Sequence, residues 1–409
     1  MHETPQTGAP LDGPAGAPRA GGQPPRAPGG PRRLVILGAT GSVGRSALEV
    51  AARHPGRLEV VGLAACRQGD LLAALGRRHG VSRLALFDEA AARRAGLPGG
   101  AAAVAELAAL PEADCVLNAI VGARGLEPSL EAVAAGKLLA LANKESLVIG
   151  GELLTRRARA AGATIVPVDS EHNAAMQLLR TVAGRELESL VLTASGGPFR
   201  STPAESLRNV SVAEVLDHPT WSMGPRITVD SATLLNKGFE VIEARWLFEL
   251  PLERIEVVVH PESIVHALIR LVDGSVLANL SSPDMRVPIQ LALSWPDRWP
   301  AAWSPLDLKS LGTLTFEAPD GKRFPALGLA MEVARRGGTA PAVLNAADEE
   351  LIAALLAERL AFADLPGVLE ELVLAHTPAA ADSAEAILAA DQWARRVARE
   401  RLGVRGPGS

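Results

Sequence analysis

Cysteine is nearly absent. The 409-residue chain holds two, Cys66 and Cys115, which supports neither a disulfide framework nor a cysteine zinc site. Tyrosine does not occur and aromatics make up 3% of residues, a codon-bias pattern that carries no functional weight. No uninterrupted apolar run reaches about 18 residues, so a membrane span is not expected. A large excess of one charge is also missing. With 41 Lys and Arg against 46 Asp and Glu, the net charge is −5, which excludes a general nucleic-acid binder. What remains is a globular composition, 48% hydrophobic and 21% charged, over a length that predicts two or three domains. Residues 1–31 are rich in Gly, Pro and Ala and lack the apolar core of a secretory signal. They are expected to form a disordered extension of a cytoplasmic protein.

The most informative stretch is Asp169-Ser170-Glu171, placed where the apolar, β-branched run Thr164–Val168 ends. In extended geometry residues i and i+2 face one side, so this spacing predicts that both carboxylates converge. Converging carboxylates repel unless a proton or a hard cation lies between them.

Ordered structure is expected from Arg33. The strand Leu34–Leu37 leads into Gly38-Ala39-Thr40-Gly41-Ser42-Val43-Gly44 and a helical pattern through Arg53. Strand, glycine turn and helix in that order suit a dinucleotide pyrophosphate, although the spacing is GxxGxxG where the strict fingerprint is GxGxxG. The next strand, Leu58–Ala65, ends in Cys66-Arg67-Gln68, without the carboxylate that holds the ribose of NAD. Arg67 suits a 2′-phosphate, which favours NADP(H). Further strands are expected at Arg83–Phe87, Cys115–Ile120, Leu138–Ala142 and Thr164–Val168, with Ala-rich helices between. The fold class is α/β: a doubly wound, Rossmann-like NADP-binding domain over 32–168. Asn143-Lys144-Glu145-Ser146 and Asp169-Ser170-Glu171 fall at strand ends on the ligand-bearing rim of such a sheet.

An α+β catalytic domain is expected over 169–312. After the strand Ser189–Thr193, Ser195-Gly196-Gly197 exposes consecutive N–H groups and a hydroxyl, which suits an oxyanion. The segment 217–226 carries two prolines, a Trp and a Met and reads as a flap over a substrate. Residues 231–249 read as one amphipathic helix with Asn236, Glu240 and Glu243 on one face. Glu240 is the expected third carboxylate beside Asp169 and Glu171, and three carboxylates favour Mg²⁺ or Mn²⁺ over zinc. Asn236 and Lys237 would hold a substrate phosphate. His260 and His266 read as structural. A linker over 313–326 precedes an Ala/Leu-rich helical bundle over 327–403 with no visible chemistry, its Asn345-Ala-Ala-Asp-Glu being a packing and capping element. Residues 404–409 form a tail.

GATGSVG, LANKES, PVDSEHN, SGGPFR, HPTWSMG and VDSATLLNKGFEVIEARWLF occur in one order over roughly residues 33–402. In this the chain closely resembles the 1-deoxy-D-xylulose 5-phosphate reductoisomerases. The resemblance implies a homodimer that uses NADPH and a divalent ion, Mn²⁺ or Mg²⁺ with Co²⁺ a third candidate, on a sugar phosphate. It places the metal on Asp169, Glu171 and Glu240. Substrate contacts fall on Lys144, Ser170, Ser195, His218, Ser231, Asn236 and Lys237, with Glu171 and Glu240 beside them. NADPH contacts fall on Thr40, Gly41, Ser42, Val43, Asn143, Glu145 and Gly224. Many members carry Gly-Lys-Asn where this chain has Cys66-Arg67-Gln68, so Arg67 and Gln68 are the expected but altered contacts of the adenosine phosphate. Lys144 and Glu171 are the expected proton-handling groups. The carbon skeleton would rearrange by a retro-aldol/aldol route, or by an α-ketol shift, before hydride delivery. Alternatives are another NADP-dependent sugar-phosphate or aldehyde reductase, or a non-catalytic NADP-binding protein.

Overall fold

The computed structural model describes residues 30–221 and 223–403. Nearly all of the expected N-terminal extension, and the tail after residue 403, lie outside the described residues.

Six strands form the first sheet: β1 (Arg32–Leu37), β2 (Leu58–Ala65), β3 (Arg83–Leu86), β4 (Cys115–Asn118), β5 (Leu138–Leu141) and β6 (Ile165–Pro167). They pair in parallel in the order β3-β2-β1-β4-β5-β6. Helices cover both faces of such a sheet, so its strands read as continuous apolar runs. Leu34, Val35, Ile36, Leu37, Cys115, Val116 and Leu117 are accordingly fully buried. Several strands are a residue or two shorter than their apolar runs. Ile120, for instance, lies past β4, where the chain turns at the sheet rim.

The strand order reverses between β1 and β4, which opens a crevice beyond their carboxyl ends. Two loops wall it closely. A Cβ on Gly38, whose φ is +85°, would lie 2.4 Å from the Ala119 carbonyl oxygen, and one on Gly44 would lie 2.3 Å from the Gly38 oxygen. Only glycine allows this approach.

The second sheet holds β7 (Leu187–Ala194), β8 (Ile255–Val259), β9 (Val265–Leu271) and β10 (Val276–Leu280) in the order β10-β9-β7-β8. Strands β7 and β8 run parallel, and β9 and β10 are antiparallel additions. The helix Ser170–Leu179 packs on β9 and β10, while Leu235–Phe248 packs against both Lys144–Ala161 and Ala326–Arg336. The helix Leu235–Phe248 therefore lies between the first sheet's helices and the C-terminal ones. Those comprise Ala326–Arg336, Ala340–Leu356, Leu365–Leu374 and Ala384–Arg401, with Ala340–Leu356 central among them.

Residues 231–249 do not form the single helix expected. One helix, Pro225–Ala232, ends before Thr233, and a second, Leu235–Phe248, starts after Leu234. Leu234 sits at φ +61° with its side chain buried. A left-handed leucine costs roughly 1–3 kcal/mol and persists where packing holds it. The break sets Ser231 near the end of one helix and Asn236 and Lys237 in the first turn of the next.

Candidate active site

Asp169 and Glu171 do not sit in extended chain, as the spacing suggested. Asp169 is the N-cap of the helix Ser170–Leu179, and its Oδ1 accepts the Glu171 N–H at 3.2 Å. The helix starts directly after the strand end, because an Asp there is a strong cap. The carboxylates still converge. Asp169, Glu171 and Glu240 each offer an oxygen within 4.8 Å of the others.

Two ammonium groups hold this set. Lys144 Nζ donates to Asp169 Oδ2 at 2.9 Å and to Glu243 Oε2 at 3.0 Å, and lies 3.5 Å from Glu240 Oε1. Lys237 Nζ donates to Glu171 Oε1 at 2.8 Å and to Glu240 Oε2. Asn236 Nδ2 donates to Glu240 Oε1 at 2.6 Å, and the Ser170 hydroxyl to Glu171 Oε2. Lys237, Glu240 and Glu243 are buried, whereas Asp169 and Glu171 are partly open to solvent.

Burial, then the negative charge of Glu171, pushes the Glu240 carboxyl up to about 7. Burial acts the same way on Asp169, but Lys144 and then His172 outweigh it and hold this carboxyl well below the usual range. Burial also opposes the charge on Lys144. Asp169, Glu243 and Glu240 reverse that and keep it an ammonium.

The donor set fits a hard divalent ion. Two lysines do not balance four carboxylates, three of the acids offer converging oxygens, and no soft ligand is near. Two orphaned atoms line the same place. Asn236 Oδ1 and His266 Nε2 are buried without a hydrogen-bond partner among the described residues. The His266 ring feels Glu171 and Lys237 and lies 6.5 Å from the ring of Trp221 in the flap. The sequence reads His266 as structural; its unpaired Nε2 distinguishes it from His260. His260 keeps that role, its ring bonded to the Thr315 carbonyl and the N–H groups of Ile264 and Val265.

Asp169, His172 and Glu243 form a second convergent set. There Lys144 already bridges the two acids, and His172 Nε2 donates to the Glu240 carbonyl at 2.8 Å. This second set fixes the orientation of the first.

Ser195 opens the turn after β7. Its Oγ lies 2.9 Å from His218 Nε2, while His218 Nδ1 accepts the N–H groups of Thr220 and Trp221 at 3.2 and 3.0 Å. A nitrogen that accepts two N–H groups carries no proton, so Nε2 is the donor and the Ser195 hydroxyl hydrogen is left free. Burial lowers the His218 pKa, in keeping with a neutral ring. Gly196 and Gly197 have φ +84° and +68°, and a Cβ on Gly197 would lie 2.6 Å from the Ser231 oxygen. The Ser195 turn and Ser231 are thereby brought together.

At the crevice of the first sheet, the helix Ser42–Arg53 starts at Gly41 with no side-chain cap and no acid in its first turn. Its N–H groups suit a pyrophosphate. Thr40, Gly41, Ser42 and Val43 are at least partly accessible there. Asn143 and Glu145 spend their side chains on the protein. Asn143 Nδ2 donates to Ile120 O, Gly122 O and Glu145 Oε2 at 2.7, 3.1 and 2.7 Å, and Glu145 Oε1 accepts the Gly122 N–H at 2.9 Å. They shape the loop after β4. Arg67 is exposed and pairs with Asp88 at 3.2 Å, so an acid does stand near the adenosine end, supplied by β3 and not β2. Gln68 precedes the helix Gly69–His79 without capping it, and Gly224 precedes Pro225–Ala232.

Sequence reasoning missed Arg226, which binds Glu145, Asn345 and Glu349, and it gave Asn345-Ala-Ala-Asp-Glu a packing role only. Pairing across 81 to 123 residues leaves no local trace. The buried positions of Glu243 and His172 were equally invisible.

Three family models cover most of the chain: 1-deoxy-D-xylulose 5-phosphate reductoisomerase over residues 34–151, its C-terminal domain over 165–248, and the DXP reductoisomerase C-terminal domain over 280–397. The 1-deoxy-D-xylulose 5-phosphate reductoisomerase of Chlorobaculum tepidum is 47% identical over 381 residues, 91% of this chain and 100% of that one. The enzyme of the same name from Leifsonia xyli is 50% identical over 372 residues, 91% and 99% of the two chains. Among solved structures, a DOX-P reductoisomerase in complex with NADPH, fosmidomycin and magnesium is similar with a TM-score of 0.85 at 38% identity, covering 91% of this chain and 98% of the other. The Zymomonas mobilis enzyme in complex with NADPH gives 0.82 at 40% identity, with 91% and 99% covered. Motif order, site geometry and near-complete coverage agree, and the chain belongs to the 1-deoxy-D-xylulose 5-phosphate reductoisomerase family.

Proposed function

We propose that this protein catalyses the NADPH- and divalent-metal-dependent rearrangement and reduction of 1-deoxy-D-xylulose 5-phosphate to 2-C-methyl-D-erythritol 4-phosphate, a step towards isoprenoid precursors. The observation that carries this reading is the convergence of Asp169, Glu171 and Glu240 within 4.8 Å, gripped by two lysines. When bound, the ion supplies a Lewis acid on the substrate oxygens and NADPH supplies the hydride.

The chain's own groups do the rest. Lys144, held as an ammonium, stabilises negative charge on a substrate oxygen. To Glu171, partly open to solvent and bonded by the Ser170 hydroxyl, we assign the uptake of a proton. Ser195 turns its free hydroxyl hydrogen to the phosphate, oriented by neutral His218. Ser231, Asn236 and Lys237 grip the same ligand, and remote binding energy of this kind holds the skeleton in reacting geometry. Trp221 and Met223 in the flap over 217–226 exclude water. We assign the NADP-binding role to 32–168, catalysis and dimerisation to 169–312, and support of both to the helices over 327–403.

A homodimer fits the exposed edge strand β10, where Val276, Leu277 and Leu280 are 54%, 37% and 36% exposed. An apolar unpaired edge calls for a covering partner. Among the described residues no helix is long and apolar enough to cross a membrane. A cysteine-based aldehyde reductase finds no support, because Cys115 is fully buried in β4 and its thiol is pushed up to about 12.

The test follows NADPH absorbance with 1-deoxy-D-xylulose 5-phosphate, with and without Mg²⁺ or Mn²⁺. Oxidation is expected only with all three present. Oxidation that proceeds unchanged in excess chelator would remove the metal from the assignment.

A further inference from the structure

We infer that Arg226 couples the flap to the dinucleotide crevice, so that a ligand under the flap and NADPH strengthen each other's binding through this one guanidinium. The inference rests on the functional reading above.

Arg226 is the second residue of the helix Pro225–Ala232. That helix carries the flap at its start and Ser231 near its end. The side chain enters a buried cluster formed by its own helix together with Lys144–Ala161 and Ala340–Leu356. Nη1 donates to Glu145 Oε1 at 2.5 Å and to Glu349 Oε1 at 2.8 Å. Nη2 donates to Asn345 Oδ1 at 2.6 Å and lies 3.4 Å from Asp348 Oδ2.

From Glu145 the connection continues without a gap. The oxygen that Arg226 binds also accepts the Gly122 N–H at 2.9 Å. Asn143, bonded to the other Glu145 oxygen, holds the carbonyls of Ile120 and Gly122. This is the loop whose Ala119 oxygen stands 2.4 Å from a Cβ built on Gly38, so it forms one wall of the crevice. On the far side the anchor is firm. Glu349 Oε2 accepts Arg395 Nη2 at 2.7 Å, and its Oε1 would lie 3.0 Å from a Cβ on Gly122.

A staple with every donor satisfied would hold one position. This one is a bond short. Arg226 Nε is buried without a hydrogen-bond partner among the described residues and stands 3.8 Å from Asp230 Oδ2 on its own helix. A small shift of Pro225–Ala232 would close that gap, giving the network a second arrangement to move to. The flap moves with the helix, and the crevice wall moves with Glu145.

Coupling of this kind is reciprocal and falls between about 5-fold and 150-fold in affinity. Fosmidomycin, which occupies the solved relative together with NADPH and magnesium, is the probe under the flap. Its dissociation constant is measured calorimetrically in Mg²⁺ with and without NADPH, and that of NADPH with and without fosmidomycin. In the wild type both should tighten by the same factor, about tenfold. In Arg226→Lys, which keeps the charge but loses the planar fork, the factor should fall below about threefold, with each ligand still binding alone. If that variant does not fold, Glu349→Gln carries the same comparison with Arg226 in place. Full wild-type coupling in whichever variant folds overturns the inference, as does a wild type that binds both ligands independently. A wild type that binds neither ligand removes the functional reading, and this inference with it.

Discussion

Two pockets in this molecule gather carboxylates around buried cations, and they have opposite characters. Around Arg226 stand Glu145, Asp230, Asp348 and Glu349. One planar guanidinium meets three of its partners within 2.8 Å, and a second arginine, Arg395, shares Glu349. Burial and the proximity of Asp348 push Asp230 well above the usual carboxyl range, and Asp348 itself rises to about 7. Both acids are thus biased towards their neutral forms, and with Arg226 and Arg395 at hand the pocket has no need of an ion. Around Lys144 and Lys237 the same number of acids meets two point charges, with Asn236 Oδ1 left unpaired and Asp169 and Glu171 partly open. That pocket is the one we propose for the divalent ion. A forked guanidinium leaves an acidic cluster no room for an ion, although its unpaired Nε leaves the network a second arrangement; ammonium groups on flexible stems leave room for one.

Substitutions should separate the two pockets. Asp169→Asn or Glu240→Gln should lower kcat in Mg²⁺ by at least about 10³-fold, the loss of several kcal/mol of charge stabilisation, with little change in melting temperature. Arg226→Met should do the reverse in emphasis, destabilising the fold by about 3–5 kcal/mol because it strands buried acids. Thermal melts and steady-state rates on the same preparations check both. Similar melts for all three variants would erase the distinction.

Acidity sharpens it further. Glu240 has its folded pKa raised to about 7, so it holds a proton below that and must lose it to bind metal. Mg²⁺ affinity should therefore rise with pH, by up to about tenfold per unit below 7, and level off above. For the apo protein the sign is opposite. A raised acid favours the folded state at low pH, and that contribution is lost as pH climbs from the ordinary glutamate range through about 7. Metal titrations at pH 6 and pH 8 decide this, and equal affinities would contradict it.

The smallest effect concerns specificity. Arg67 is exposed and shared with Asp88, so its removal should raise the KM for NADPH by about tenfold and leave that for NADH nearly unchanged. Parallel changes in both would show that the adenosine phosphate is held elsewhere.

What was legible in the sequence follows from range. The strands of the parallel sheet, the glycine turn before Ser42 and the acids at strand ends are short local patterns, and each stands near where it was expected. The convergence of Asp169 with Glu171 was foreseen on period-two geometry, yet a helix cap brings it about. The break at Leu234 was hidden because nothing in Thr-Leu-Leu-Asn discourages a helix; tertiary packing imposes the left-handed turn. Arg226 was hidden for another reason. Its partners lie on two distant elements, Lys144–Ala161 and Ala340–Leu356, and the run containing Asn345 and Glu349 looks like any capped bundle helix.

The contact between the Gly38 turn and the Ala119 carbonyl bears on any attempt to redesign the cofactor. With the two backbones this close, position 38 admits no side chain, and position 44 is closed for the same reason. Under the proposed placement of the adenosine phosphate, a change of nucleotide preference belongs at the outer rim, at Arg67, Gln68 and Asp88. An engineer who wants this enzyme to accept NADH should leave the turn untouched and work only there.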